Sequence, residues 1–253
     1  MINLEINGAE LKNIELIIFD KDGTLFELYP YWSKIAMRRS ENICKGLDIV
    51  DEGLVEWIAL KMGVNIRSQR MNPEGPIGIY NREHIQKSLY NELKERGYPI
   101  KENIIQSAFR ETDEYVHKEE ILRDSLVPVR GLLNFLKSID GRCKGAIFSY
   151  DLTDRLELIA RLFGISDNFD MFLGGDRILY SKPDPWGAIK IMSDLHISPE
   201  NTALMGDSIF DIECGKRARC NHLITILSDI SNSKLLGPVS NAVLKDFTEI
   251  SVH

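Results

Sequence analysis

A chain of 253 residues with 43% hydrophobic side chains can bury one large core, or a core domain that carries a smaller insert. Its formal net charge of −7, with no long block of like charge, argues against a nucleic-acid partner. The four cysteines form no Cys-x-x-Cys pair and no zinc spacing, no apolar run is long enough to cross a bilayer, and the N-terminus lacks the basic and apolar regions of a signal peptide; the expectation is reduced thiols in a cytoplasmic protein with no membrane partner.

Residues 2–6 read as a short strand, and Asn7-Gly8 is a favourable hairpin turn pair, so an edge hairpin is expected to lead into the next strand. The continuous apolar run Leu16-Ile17-Ile18-Phe19 reads as a strand buried on both faces, the usual state in a parallel sheet. Residues 27–125 show helical spacing and no strong strand. Trp32, Ile35, Ala36, Ile43 and Leu47 suit a first helix, and Leu54, Ile58 and Met62 a second. Ile85, Leu89 and Leu93 suit a third, ended by Gly97 and Pro99, and Ile105, Ala108, Phe109, Thr112 and Val116 a fourth. Between the second and third lies Asn72-Pro73-Glu74-Gly75-Pro76-Ile77-Gly78, a loop by composition.

After Pro128 strands and helices alternate. Val129, Leu132, Leu133 and Leu136 make a helix stripe; so do Leu156, Ile159, Ala160 and Phe163, closed by Gly164, and then Pro185, Ala188, Ile189 and Met192. Strands are expected at 144–148, 170–173, 202–205, 223–227 and 242–244. This alternation implies an α/β class, a parallel sheet with helices on both faces, whose ligand site lies beyond the carboxyl ends of the strands. Asp20, Ser149 and Asp207 each follow a strand, so they can converge although far apart in sequence.

Asp20 and Asp22 stand one residue apart at the first strand's end, where alternation lets both point the same way. Two close carboxylates repel unless a cation or proton sits between them, and a divalent ion such as Mg²⁺ would relieve that. Gly23 permits a sharp exit and a close backbone approach to a ligand. Alone, an Asp-x-Asp is as readily a strand end with solvated acids.

Three further segments change that balance: Ser149 after Gly145-Ala146-Ile147-Phe148, Lys182 in Ser181-Lys182-Pro183-Asp184-Pro185, and Gly206-Asp207-Ser208-Ile209-Phe210-Asp211 after Thr202-Ala203-Leu204-Met205. With Asp20-Lys21-Asp22-Gly23-Thr24 they resemble, in order, the four motifs of the haloacid dehalogenase superfamily, and Lys21 with the Tyr31-Trp32 pair resembles its phosphoglycolate phosphatase-like members. Each segment alone has a plainer reading: a capping serine, a surface lysine, two acids opening a helix. Together those readings require four coincidences.

The resemblance implies a doubly wound, Rossmann-like parallel core at 1–26 and 126–253, with an all-helical cap of the C1 type inserted at 27–125. It implies a Mg²⁺-dependent phosphatase acting on a small phosphomonoester through an aspartyl-phosphate. Asp20 is then the nucleophile, and Asp22 the acid and base, with a raised pKa when substrate is bound. Ser149 and the N–H groups of Asp22, Gly23 and Tyr150 hold the phosphate, and Lys182 neutralises Asp20 and the transferring group. Asp20, the main-chain carbonyl of Asp22, and Asp207 hold the metal, with Asp211 as a ligand or its support. Tyr150 departs from the asparagine found in many relatives. Arg38, Arg39, Arg67 and Arg70 are candidates for a second anionic group on the substrate, each more readily a solvated arginine. The rivals are a sugar phosphomutase of the β-phosphoglucomutase type and a non-catalytic binding protein on the same fold. Asp22 disfavours a dehalogenase, and none of Lys34, Lys45 and Lys61 is marked as the buried amine of a phosphonate hydrolase. The expected partner is a small phosphorylated metabolite, and the oligomeric state monomer or homodimer.

Overall fold

The computed structural model describes residues 1–77, 80 and 82–253, so Gly78 of the expected loop lies outside the described residues. The chain divides into two compact units, Met1–Glu27 with Pro128–His253, and Leu28–Val127.

Strands β1 (Ile2–Ile6) and β2 (Ala9–Ile14) form the expected hairpin. Asn7 and Gly8 have φ values of 49° and 85°, the left-handed pair that a two-residue turn of matching twist requires. The hairpin is not an edge of the parallel sheet. It forms a separate three-stranded antiparallel sheet with a C-terminal strand, introduced below, that is too short to read by alternation. Strand β3 (Leu16–Phe19) follows, buried at all four residues.

The inserted unit contains α1 (Leu28–Gly46), α2 (Glu52–Lys61), α3 (Arg82–Glu95), α4 (Glu102–Val116) and α5 (Glu119–Ser125). Asp51 caps α2, its side chain accepting from the N–H groups of Gly53 and Leu54. The α4 stripe Ile105, Ala108, Phe109, Thr112 and Val116 is buried throughout, as its spacing predicts. Two features depart from the expectation. Helix α5 has seven residues and buries only Leu122 and Ser125, too few to display a period. The unit is also not wholly helical: β4 (Val64–Asn65) and β5 (Arg70–Met71) pair antiparallel, at two residues each below the length at which alternation is legible.

The chain then alternates through α6 (Leu132–Ile139), β6 (Lys144–Phe148), α7 (Thr153–Leu162), β7 (Met171–Leu173), α8 (Trp186–Leu195), β8 (Thr202–Gly206), α9 (Ile209–Arg217), β9 (His222–Ile226), α10 (Ser233–Leu236), β10 (Ala242–Leu244) and β11 (Ile250–Val252). The six-stranded sheet has the order β10-β9-β8-β3-β6-β7, and every pair in it is parallel. Strand β3 is central, with Phe19 paired to Ile147 of β6 and to Met205 of β8. Strand order reverses beside β3, which is where sheets of this kind open a ligand crevice.

Successive β3 residues face opposite layers, as the pleat dictates. Leu16 and Ile18 pack in a cluster with Ala188, Ile191 and Ile212, while Phe19 meets Phe135 and Phe169 edge-on. Burying each of the larger side chains among these contributes roughly 1.5–3 kcal/mol. Leu133 and Ile189, assigned to buried stripes by spacing, are 43% and 49% exposed because they lie at the stripe margins. The four cysteines are free; Cys44, Cys214 and Cys220 are buried and Cys143 half-buried, and burial pushes their thiols up. Among the described residues no helix is long and apolar enough to cross a membrane.

Candidate active site

Four chain segments meet at the carboxyl end of the central strands. Asp20 leaves β3 with its N–H bonded to the Met205 carbonyl of β8 at 2.9 Å. The loop after it closes on itself: Leu25 and Phe26 N–H donate to the Lys21 carbonyl at 2.9 and 3.1 Å. Gly23 N–H, expected to assist a phosphate, instead donates to the Phe26 carbonyl at 2.7 Å. What Gly23 supplies is room. Its φ is +81°, and a Cβ there would lie 2.1 Å from Asp207 Oδ2.

Asp207 directly follows β8, and Asp211 lies in the first turn of α9. Ser208 caps that helix: its hydroxyl accepts from Asp211 N–H, and Asp211 Oδ2 accepts from Ser208 N–H at 3.1 Å. This reciprocal box leaves Asp211 Oδ1 facing Lys182. Lys182 Nζ donates at 2.7 Å to each of three acceptors, Asp20 Oδ1, Asp211 Oδ1 and the Phe148 carbonyl. Carboxylate oxygens of Asp20, Asp207 and Asp211 lie within 4.8 Å of one another, and all three residues are buried.

The electrostatics are unbalanced. Burial pushes the Asp20 carboxyl up to about 7, against the pull of Lys182, with Asp211 and Asp22 adding to the rise. Asp207 is raised well above the usual carboxylate range, by burial first and then by Asp211 and Asp20. Burial works against the Lys182 ammonium, but Asp20 and Asp211 more than offset it and hold its pKa above the usual lysine value. With all three carboxylates ionised, the one ammonium would leave two negative charges uncompensated, which is why burial and mutual repulsion push Asp20 and Asp207 up. An all-oxygen donor set with that deficit fits a hard divalent cation.

Ser149 is buried directly after β6, next to the Phe148 carbonyl that receives Lys182. Its N–H donates to the Leu173 carbonyl at 3.1 Å, and its hydroxyl accepts from Asp151 N–H at 3.2 Å. The Tyr150 side chain does more than fill space: its hydroxyl donates to the Lys182 carbonyl at 2.8 Å, tying the two loops together. Burial pushes that phenol up to about 12. The Asp22 side chain is not among the three clustered carboxylates; its Oδ1 lies 2.8 Å from Lys21 Nζ.

A family model for haloacid dehalogenase-like hydrolases matches residues 14–219. The chain belongs to that family. This hydrolase is 27% identical over 224 residues to a phosphorylated carbohydrates phosphatase of Thermotoga maritima, covering 88% of this chain and 90% of that one. It is 29% identical over 121 residues to a phosphoglycolate phosphatase of Aquifex aeolicus, covering 46% of this chain and 57% of that one. The crystal structure of a predicted phosphoglycolate phosphatase from Haemophilus somnus shares the fold, with a TM-score of 0.70 at 18% identity over 94% of this chain and 97% of that one. The doubly wound core is therefore that of the family.

Some site residues carry no motif. Ser228, two residues past β9, donates to Asp207 Oδ2 at 2.6 Å, and Ser231 donates to the Asp207 carbonyl at 2.6 Å. The signal available for Ser228 is its place after a strand neighbouring β8. Lys21, inside the first motif, is buried and pairs with the half-buried Asp151, a contact that neither composition nor spacing marks. The candidate arginines lie in the inserted unit. Arg38 pairs with Glu41 at 3.8 Å and Arg67 with Glu56 at 2.6 Å. Arg39 is buried 4.0 Å from the Phe109 ring, 3.4 Å from Asp113 Oδ1, and burial lowers its pKa to about 10. Arg70 is exposed on β5. Lys34 pairs with Asp124 and Lys61 with Glu92, and Lys45 is exposed, so none is a buried amine.

Proposed function

We propose that this hydrolase is a Mg²⁺-dependent, phosphoglycolate phosphatase-like enzyme that hydrolyses a small phosphomonoester through an aspartyl-phosphate on Asp20. The observation that carries the reading is the buried contact of Asp20 Oδ1 with Lys182 Nζ at 2.7 Å, in a cluster with Asp207 and Asp211. The names of the curated relatives support the substrate class.

Phosphate monoesters hydrolyse so slowly unaided that an acceleration of up to ~10²¹-fold is needed, most of it from positioning and charge stabilisation. An Asp20 carboxylate oxygen attacks phosphorus, the bond from phosphorus to the leaving oxygen breaks, and Asp22 passes its proton to that oxygen. Water then attacks the same phosphorus, its proton goes to Asp22, and the bond from phosphorus to Asp20 breaks to release inorganic phosphate. Lys182 keeps Asp20 oriented and opposes the charge on the transferring group. The Ser149 hydroxyl and the N–H groups of Asp22 and Tyr150 hold the phosphate oxygens. Asp20, Asp207, the Asp22 carbonyl and, directly or in support, Asp211 would hold Mg²⁺, which supplies charge neutralisation for phosphate. The inserted unit is the proposed cap, which selects the substrate.

The test is phosphate release from 4-nitrophenyl phosphate and phosphoglycolate, with and without Mg²⁺, by the native protein and by Asp20→Asn. Metal-dependent turnover lost in the variant is the expected result. Turnover retained in Asp20→Asn, with carried-over phosphatase excluded, would overturn the aspartyl-phosphate route.

A further inference from the structure

Lys21 is a cation in an unusual place. It sits between the two motif aspartates, its side chain is 1% exposed, and its Nζ lies 2.8 Å from Asp22 Oδ1 and 3.1 Å from Asp151 Oδ2. Asp151 Oδ1 in turn pairs with Arg155 at 3.1 Å, from the first turns of α7. The four charges alternate and sum to zero along Asp22, Lys21, Asp151 and Arg155. The Lys21–Asp151 pair joins the loop after β3 to the loop after β6, where Asp151 N–H also donates to Ser149 Oγ at 3.2 Å.

Stability is a poor reason for this arrangement. Desolvating an ion pair costs about as much as the pairing returns, and an apolar side chain of similar volume would serve the core as well or better. The pairs do provide orientation. Asp22 lies on a loop rather than in a strand, with its side chain 24% exposed, and a loop carboxylate has rotamer freedom to lose. With Oδ1 taken by Lys21, Oδ2 is the oxygen left for the reacting group.

We infer that Lys21, braced by Asp151 and Arg155, is a positioning residue that aims the Asp22 carboxyl at the leaving oxygen. The inference rests on the phosphatase reading above and adds the device that makes Asp22 competent. It yields a signature that a merely structural lysine would not. An alkoxide cannot leave without a proton, whereas 4-nitrophenolate is a stable anion that can. General acid–base catalysis is worth about 10²–10⁴-fold, so losing the aim of Asp22 slows an alkyl ester far more than an aryl one.

The experiment measures kcat and KM for phosphoglycolate and 4-nitrophenyl phosphate in the Mg²⁺-loaded native protein, Lys21→Met, Asp151→Asn, Asp22→Asn and the double variant Lys21→Met with Asp22→Asn. The expected result is a kcat loss at least ~10-fold greater on the alkyl ester than on the aryl ester in Lys21→Met, with KM little changed. Asp151→Asn shows the same bias in milder form, and the double variant is no slower than Asp22→Asn alone, because the two residues act as one unit. Equal losses on both esters, or additive losses in the double variant, overturn the inference while leaving the phosphatase reading intact. If Lys21→Met does not fold, the ester bias of Asp151→Asn decides by the same criterion. A native protein that turns over neither ester overturns the phosphatase reading and this inference with it.

Discussion

Gly23→Ala tests whether the acidic cluster depends on the shape of the backbone beside it. The added Cβ would lie 2.1 Å from Asp207 Oδ2, 2.6 Å from its Cγ and 3.1 Å from Ser228 Cβ. Ordinary contact needs more than 3 Å, so the carboxylate must retreat by about 1 Å. It has little room to do so, being 3% exposed and held by Ser228 Oγ at 2.6 Å. Alanine at φ +81° adds a backbone cost of roughly 1–2 kcal/mol. A displacement of ~1 Å in a catalytic group can cost ~10²-fold in rate. The expected outcome is a kcat lower by about 10²-fold and weaker Mg²⁺ binding by titration calorimetry. The melting temperature should fall by about 2–8 °C. Gly8→Ala is the control. Its φ is +85° and nothing lies within 4 Å of the added Cβ, so it incurs the backbone cost alone. It should lower the melting temperature and leave kcat and Mg²⁺ affinity unchanged. Gly23→Ala with native kcat and metal affinity would refute the steric argument.

Three further outcomes follow from the site. Lys182→Met removes the ammonium between Asp20 and Asp211, and denaturant titration without Mg²⁺ should show a loss of about 3–5 kcal/mol that added Mg²⁺ partly restores. Tyr150→Phe removes one bond to the Lys182 carbonyl, for about 0.5–1.5 kcal/mol by the same titration; an altered preference among phosphomonoesters would instead mean that the phenol contacts substrate. Burial raises the Asp151 carboxyl, but Lys21 and Arg155 more than offset it and hold its pKa below the usual value, with Leu152 N–H bonded to it at 2.8 Å. A depressed folded-state pKa gives stability that is full above the unfolded value of about 4 and lost as pH falls through the folded one. The melting-temperature gap between native protein and Asp151→Asn should therefore be constant above about pH 5 and shrink below about pH 4.

The core was legible because its strands are short apolar runs with no competing period. The strands at Lys144–Phe148 and Ala242–Leu244 lie where the sequence places them, and β3, buried at every residue, shows no alternation because helices cover both faces. The short strands β4, β5 and β11 were not legible: β4 and β5 have two residues each, below one repeat of the pattern, and the polar Ser251 interrupts the apolar run of β11, whereas the apolar three-residue strands β7 and β10 were. Leu133 and Ile189 show the other limit: spacing locates a stripe and leaves open where its edge meets solvent.

The candidate site was legible to the extent that its chemistry is written in strand ends. Asp20, Ser149 and Asp207 each follow a strand of one parallel sheet, and parallel strands bring their carboxyl ends together however far apart they lie in sequence. Lys182 does not follow a strand, and only resemblance pointed to it. The supporting contacts had no such marker, because they depend on which loops face each other. A serine two residues past β9 becomes a partner of Asp207 only when β9 is known to lie beside β8. Lys21 is the clearest case. Between two aspartates, a lysine reads as a solvated charge that offsets its neighbours. Burial reverses that reading, for a lysine that is 1% exposed must be held by fixed anions, and Asp151, 130 positions away, is identifiable as one of them only from the geometry. Motifs thus locate the groups proposed to react, while the contacts of the groups proposed to aim them are set by strand order and loop contact. Substitutions at Lys21, Asp151 and Ser228 therefore test the proposed aiming separately from the proposed chemistry of Asp20 and Asp22.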